Sequence, residues 1–300
     1  MNPMLLVYPG QELLGASLQR ELSAEPLLFE MRAFPDGETY LRIESDVRGR
    51  QVAILCTLRD PDTKILPLLF MADTLRDLGA ARVGLVAPYL AYMRQDARFR
   101  AGEALTSASF ARVISAGYDW LVTVDPHLHR RQSLSEIYTI ATDVVHAAPL
   151  LAQWIQANVP APLIVGPDAE SEQWVSAVAR AATCPHVVLE KVRFSDRAVA
   201  VSRIPEVERW VGHTPVLVDD IISSARTMIE SVGQCKVAGQ PAPICVGVHA
   251  VFAEGAYEAL SAAGAARIVT ANSIPHHSNG IDLGPALAAH LRPFLGGTAG

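Results

Sequence analysis

Short runs of β-branched and other apolar residues alternate along the chain with longer stretches whose apolar positions recur at helical spacing. In the first half the runs are Val52–Thr57, Arg82–Ala87 and Trp120–Val124; in the second they are Pro162–Gly166, His186–Leu189, Pro215–Val218, Ile244–Val248 and Arg267–Thr270. Helices are predicted at Lys64–Leu78, Thr106–Ser115, Ala147–Asn158, Glu170–Ala182, Ala225–Ala238 and Glu254–Ala263, from apolar spacing and alanine content. Strands alternating with helices make α/β structures in which a mainly parallel sheet is flanked by helices, so each half is expected to carry its own sheet. The change of half falls near Ala141–Ala147, which sets expected domains at 1–143 and 144–300, the closing segment of the second being free to pack back on the first. The halves share this rhythm without a strict sequence repeat, as a duplicated fold would.

Composition narrows the class. The 300 residues, 50% of them hydrophobic, suffice for one large core or two ordinary ones, and two is the better fit. A net charge of −6 speaks against a general nucleic-acid binder, because no basic excess is available to neutralise a phosphate backbone. Cys56, Cys184, Cys235 and Cys245 form no CxxC pair and no metal-ligand spacing, so reduced thiols in a cytoplasmic protein are expected. Residues 1–10 lack the basic start and long apolar stretch of a signal peptide, and no apolar run is long enough to span a bilayer; no membrane partner is expected.

The segment from Pro215 to Met228 carries the strongest chemical signal. Val216–Val218 reads as a buried strand, and Asp219 and Asp220 are expected to emerge at its carboxyl end, where open α/β sheets place their ligands. Ser223, Ser224 and Thr227 add hydroxyls, while the backbone of the Ser223–Thr227 turn and the positive end of the following helix favour a phosphate dianion. Carboxylates beside a phosphate imply sugar hydroxyls or Mg²⁺ between them. A helix cap alone would account for Asp220 or Ser223 singly; the acid doublet with three hydroxyls goes beyond a cap.

Other strand ends add to it. His127 follows one apolar run and Asp168 another, and each suits Mg²⁺, which takes few protein ligands. A zinc reading of His127 and His129 lacks third and fourth ligands at recognisable spacing, and His276–His277 reads as a polar loop. Between Pro88 and Glu103, Arg94, Arg98 and Arg100 lie within seven residues and are followed by Gly102. That cluster reads as a cationic flap able to cover a polyphosphate, against the commoner alternative of a solvated loop.

The Asp219–Thr227 segment resembles the motif by which type I phosphoribosyltransferases and PRPP synthetases (ribose-phosphate pyrophosphokinases) hold PRPP, and alone it does not separate the two. Pro88–Tyr89, Tyr92 and Arg94–Gln95–Asp96 resemble the ATP-binding and flexible-loop motif of PRPP synthetases specifically. Phe34–Pro35–Asp36–Gly37–Glu38 is similar to that family's adenine loop, Asp125–Pro126–His127 to its metal and ATP histidine motif, Gly166–Pro167–Asp168 to its Ser-Pro-Asp, and Lys191–Val192–Arg193 to its Lys-x-Arg. The resemblance runs over nearly the whole chain in matching order.

It implies two phosphoribosyltransferase-like domains and transfer of the β,γ-diphosphoryl group of Mg-ATP to the 1-hydroxyl of ribose 5-phosphate, giving PRPP and AMP. By the same resemblance Phe34, Asp36, Gly37, Glu38, Arg94, Gln95 and His127 hold ATP, and Asp219, Asp220, Ser223, Ser224, Ala225, Arg226, Thr227 and Arg193 hold ribose 5-phosphate. Lys191, Arg193, Arg98 and Arg100 act in catalysis, and His127 and Asp168 hold Mg²⁺. A homo-oligomer, dimer or hexamer, follows from an adenine loop that reaches a neighbouring subunit. The chain departs from the pattern at Ala169–Glu170–Ser171, where relatives often have Gly-Gly, and at Ala97, where many carry a cation. Ser223 in place of the loop acid resembles the archaeal-type branch. Arg226 stands where many relatives have glycine, so it is expected either to carry a left-handed backbone, costing roughly 1–2 kcal/mol, or to add a guanidinium contact to the 5-phosphate. The rival readings are a phosphoribosyltransferase that consumes PRPP and a non-catalytic regulatory paralogue.

Overall fold

Apolar runs from both halves become the central strands of two parallel sheets. The computed structural model describes residues 2–128, 130–167, 171–192, 201–203 and 205–296. The chain divides into one unit of residues 1–145 with 283–300 and a second of residues 146–282. The first holds β1 (Met4–Val7), α1 (Glu12–Leu22), β2 (Glu25–Pro26), β3 (Phe29–Ala33), β4 (Thr39–Ile43), β5 (Gln51–Leu55), α2 (Asp62–Asp77), β6 (Arg82–Ala87), α3 (Thr106–Gly117), β7 (Trp120–Val124) and β8 (Ala141–Val145). The second holds α4 (Ala148–Asn158), β9 (Pro162–Gly166), α5 (Glu172–Ala182), β10 (His186–Val188), β11 (Glu190–Val192), β12 (Val201–Arg203), β13 (Thr214–Ile222), α6 (Arg226–Val237), β14 (Ile244–Ala250), α7 (Ala256–Ala263), β15 (Arg267–Ala271) and β16 (Asn279–Ile281). After it, α8 (Gly284–Leu295) returns to the first unit and packs on α1, β7 and β8.

The sheet of the first unit runs β2-β1-β5-β6-β7-β8 and that of the second β10-β9-β13-β14-β15-β16, every pair parallel. Counted in chain order within each sheet, both read 2-1-3-4-5-6. The strand order therefore reverses between β1 and β5 in one unit and between β9 and β13 in the other, and such switch points open a crevice at the carboxyl ends of the strands. Strand residues such as Val52, Ile54, Leu85, Leu121, Leu163 and Leu217 are fully buried. Removal of each such side chain from water favours folding by roughly 1.5–3 kcal/mol.

Gly84 and Gly247 lie on corresponding strands of the two sheets, β6 and β14. A Cβ on Gly84 would fall 1.9 Å from the Trp120 ring, and one on Gly247 would fall 2.7 Å from Ile222 Cδ1. Each glycine makes room for a large neighbour from the adjacent strand. The other principal additions to the sequence-based elements are α1, α8 and the antiparallel hairpin β3–β4, which stands outside the first sheet. His276–His277 is not a plain polar loop. His276 packs 4.8 Å from the Phe252 ring and 5.3 Å from Tyr257, closing the carboxyl end of β14 and β15.

Candidate active site

In the second unit β13 stays paired with β9 only as far as Leu217, yet continues beside β14 to Ile222. Asp219 and Asp220 thus lie within the strand instead of following it, three and two residues before its end. They are half-buried, on the stretch where β13 has outrun β9 at the edge of the switch-point crevice, and Asp219 is in register with Gly247 of β14. The Asp220 N–H donates to Asp219 Oδ1 at 2.9 Å.

Beyond Ile222 the chain turns sharply into α6. The turn is held by the Ala253 N–H donating to Ser223 O at 3.1 Å and the Ile229 N–H donating to Ala225 O at 2.8 Å. The left-handed residue is Ala225, with φ 56° and ψ 8°; Arg226 is the first residue of α6, and the expectation of a left-handed Arg226 is corrected by one position. Ala225 offers no side-chain cap, the first turn of α6 has no acid, and Ser224, Arg226 and Thr227 are exposed. An uncapped helix start with a cation at its first position is electrostatically prepared for an anion.

Lys191 is the central residue of β11, which pairs with β12 in register Lys191↔Ser202, and β12 lies against α6. The Lys191 strand and the helix that starts at Arg226 are thereby neighbours. Asp168, Ala169, Glu170, His129 and Arg193 lie outside the described residues.

In the first unit, Phe34–Glu38 is the exposed tip of the β3–β4 hairpin, closed by the Phe34 N–H donating to Glu38 O at 2.7 Å and the Gly37 N–H donating to Phe34 O at 2.9 Å. Phe34 meets Tyr40 edge-on, with centroids 6.0 Å apart, and the Arg32 guanidinium lies 4.1 Å from the Tyr40 ring and 5.1 Å from that of Phe34. The turn presents an aromatic face beside the carboxylates of Asp36 and Glu38, a surface suited to a flat heterocycle with exocyclic amines.

The flap follows β6 and His127 follows β7, the adjacent strand. Tyr92, at φ 61°, donates its hydroxyl to Asp62 at the start of α2 and packs 4.8 Å from Phe110. That hydrogen bond, with lesser help from burial and from the Asp62 charge, holds the phenol in its protonated form well into alkaline pH. Farther along, Glu103 Oε2 accepts the N–H groups of Phe99 and Arg100 at 2.8 and 3.1 Å, while Arg98 Nε donates to Glu103 O at 3.0 Å. Arg94, Arg98 and Arg100 are exposed. The flap is therefore an internally bonded loop with three cations on its outside.

Sequence reasoning missed the braces that join flap and histidine loop. Arg130 Nη1 donates to Asp96 Oδ1 at 2.8 Å, and its guanidinium lies 4.9 Å from the Phe99 ring. Arg131 Nη2 donates to Ser107 Oγ at 3.5 Å, and the Ser107 N–H donates to Gln95 O at 3.3 Å. An arginine doublet three residues past a strand-end histidine is the available signal, but its partners lie 34 and 24 positions away.

Thiol chemistry does not compete at this site. Burial pushes the Cys56 thiol up to about 12 and that of Cys235 up to about 11, raises Cys245 further and Cys184 as well, so thiolate forms are suppressed near neutrality. Among the described residues no group of three or more His, Cys, Asp and Glu side chains could by itself hold a metal. Mg²⁺ that arrives on phosphate oxygens needs few protein ligands, and the His127 imidazole is a donor of a kind that could serve it; Asp168, the other expected ligand, lies outside the described residues.

Comparison with known proteins bears on both units. The N-terminal domain of ribose phosphate pyrophosphokinase matches residues 4–117, and the phosphoribosyl transferase domain matches residues 133–285. The ribose-phosphate pyrophosphokinase of Sulfurisphaera tokodaii is 32% identical over 281 residues, 92% of this chain and 95% of that protein. That of Methanothermobacter thermautotrophicus is 32% identical over 287 residues, 95% of this chain and 98% of that protein. Among solved structures, phosphoribosylpyrophosphate synthetase from Mycobacterium smegmatis has the same fold, with a TM-score of 0.83 at 24% identity, over 97% of this chain and 98% of the other.

Proposed function

The chain belongs to the ribose-phosphate pyrophosphokinase family, and we propose that it transfers the β,γ-diphosphoryl group of Mg-ATP to the 1-hydroxyl of ribose 5-phosphate, releasing AMP and PRPP. It is a transferase of this class, serving nucleotide biosynthesis. The observation that carries the residue assignment is the uncapped, acid-free start of α6 beside Asp219 and Asp220, in a chain that also bears a three-arginine flap. A phosphoribosyltransferase needs the first feature and has no use for the second.

In this reading the α6 turn, with Ser223, Ser224, Thr227 and the Arg226 guanidinium, takes the 5-phosphate, assisted by Arg193, and Asp219 and Asp220 orient the ribose hydroxyls. Holding O1 in line with the β-phosphorus turns a bimolecular encounter into a positioned attack. The Phe34 face with Asp36, Gly37 and Glu38 takes adenine, Arg94 and Gln95 the nucleotide, and Arg98, Arg100 and Lys191 offset charge that grows on phosphoryl oxygens as the bond to AMP breaks. Mg²⁺, held by His127 and Asp168, supplies charge neutralisation at the polyphosphate when bound. No covalent intermediate on the protein is required. The exposed adenine turn supports a homo-oligomer in which that site is shared, and no helix among the described residues is long and apolar enough to cross a membrane, in keeping with a cytoplasmic enzyme.

The test is direct. Protein mixed with ATP, Mg²⁺ and ribose 5-phosphate is expected to form AMP and PRPP in equal amounts, and a His127→Ala variant far less of both. AMP formation no greater than in the variant would favour the regulatory reading, and PRPP consumed with a nucleobase would favour the phosphoribosyltransferase.

A further inference from the structure

Asp96 is a nearly buried acid of the flap: its side chain is 4% exposed, although it stands two residues from Arg94 and Arg98 and four from Arg100. A carboxylate so placed works against the flap. It adds negative charge beneath a surface meant for polyphosphate, and it competes for the guanidinium groups that the substrate needs. The structure resolves this with Arg130, whose Nη1 lies 2.8 Å from Asp96 Oδ1 and whose guanidinium packs 4.9 Å from Phe99. Arg130 comes from outside the flap, on the loop that carries His127, and its own side chain is 53% exposed.

Resting on the reading above, we propose that Arg130 is a positioning residue for nucleotide binding: it neutralises Asp96 and clamps Phe99, so that Arg94, Arg98 and Arg100 stay turned to the phosphates and the flap keeps register with His127. Two contacts of different kinds make the clamp specific. The ion pair removes the competing charge, and the ring contact fixes where along the loop it is removed. Loss of Arg130 leaves a nearly buried carboxylate without its cation, the situation that most strongly recruits the nearest alternative. The flap's own arginines, two and four residues away along the chain, are the alternatives that matter for nucleotide binding. The Arg131–Ser107 contact braces the same loop from α3 and remains when Arg130 is changed.

Binding of a non-hydrolysable ATP analogue, measured by calorimetry, and steady-state kinetics read the effect together. Arg130→Ala is expected to weaken analogue binding and raise KM for ATP by about tenfold, with KM for ribose 5-phosphate within about twofold of the wild type. Arg130→Lys keeps the charge and loses the planar contact, and should recover about half of the loss on a logarithmic scale. The decisive variant is Arg130→Ala combined with Asp96→Asn: with the competing charge gone, analogue affinity should return to within about threefold of the wild type. An unaltered Arg130→Ala affinity, or a double variant no better than Arg130→Ala, would overturn the inference, the latter by making Arg130 a direct phosphate contact. Equal losses for ATP and ribose 5-phosphate would also overturn it, as general damage to the fold. A wild type that binds the analogue but forms no AMP would count against the proposed reaction alone.

Discussion

The two units have the same strand order, yet their switch points differ in chemistry. In the second, the crevice beside β9 and β13 is edged by Asp219 and Asp220 and leads to an α6 turn with no side-chain cap and no first-turn acid. In the first, the corresponding turn follows β5 and enters α2, whose first turn already carries an acid, Asp62; the turn after β1, on the other side of the crevice, is occupied too. The Glu12 carboxylate accepts the Gly10 N–H at 2.8 Å, and hydrogen bonds from its own N–H and that of Gly10 hold its carboxyl below the usual range. Across that crevice, after β5, Lys64 Nζ donates to Thr57 O at 3.0 Å and Arg59 O at 2.5 Å. The first unit thus places charged side chains of its own in these turns, whereas α6 starts with neither a side-chain cap nor a first-turn acid, and the first unit carries its candidate chemistry on β6 and β7. Topology supplies the crevice; whether it binds an anion depends on what the first turn of the helix already holds.

The comparison breaks most visibly if the wrong crevice is essential. Asp219→Asn with Asp220→Asn should lower kcat/KM for ribose 5-phosphate by about a thousandfold, while Glu12→Gln leaves it within about twofold, both read from AMP release. The paired glycines test the frames behind the crevices. Gly84→Ala should cost about 3 kcal/mol or more, because it must displace the Trp120 ring, and Gly247→Ala about 1–2 kcal/mol, because the Ile222 side chain can turn aside; urea unfolding measures both. Arg226→Gly tests the helix start. With Arg226 already helical the change should destabilise by about 0.5 kcal/mol; a gain in stability would return the left-handed residue to position 226.

The smallest effect is that of Glu12 itself. Its lowered carboxyl favours the folded state fully above the ordinary glutamate range, and this contribution fades as pH falls through the depressed value. After allowance for its solvent exposure, Glu12→Gln should cost no more than about 0.5 kcal/mol at neutral pH and nothing in acid, as read from denaturation midpoints across that range.

Central strands were legible because a parallel sheet buries both faces and writes itself as an uninterrupted apolar run. The β3–β4 hairpin was not: its residues are half-exposed, and Phe29, Met31, Leu41 and Ile43 pack on the core from one side only. The end of β13 was misread because two acids look like a strand's end, whereas pairing with β14 through Ala250 carries the strand past them. Arg226 and Ala225 exchange roles for a related reason. Where neither residue is glycine, nothing local tells which one takes the positive φ, and the start of α6 decides it. The Asp96–Arg130 pair depends on β6 and β7 being neighbours, a fact of register that no local pattern contains.

The return of α8 to the first unit bears on how the protein is made. Trp120 lies against Gly84 and is stacked on Phe294 of α8 at 5.1 Å, so the first unit's core waits for a segment translated after the whole of the second. On the ribosome the second unit has all its strands before the first can close. The unit that starts first finishes last, and during synthesis an unfinished face around Trp120 is the surface a chaperone would meet.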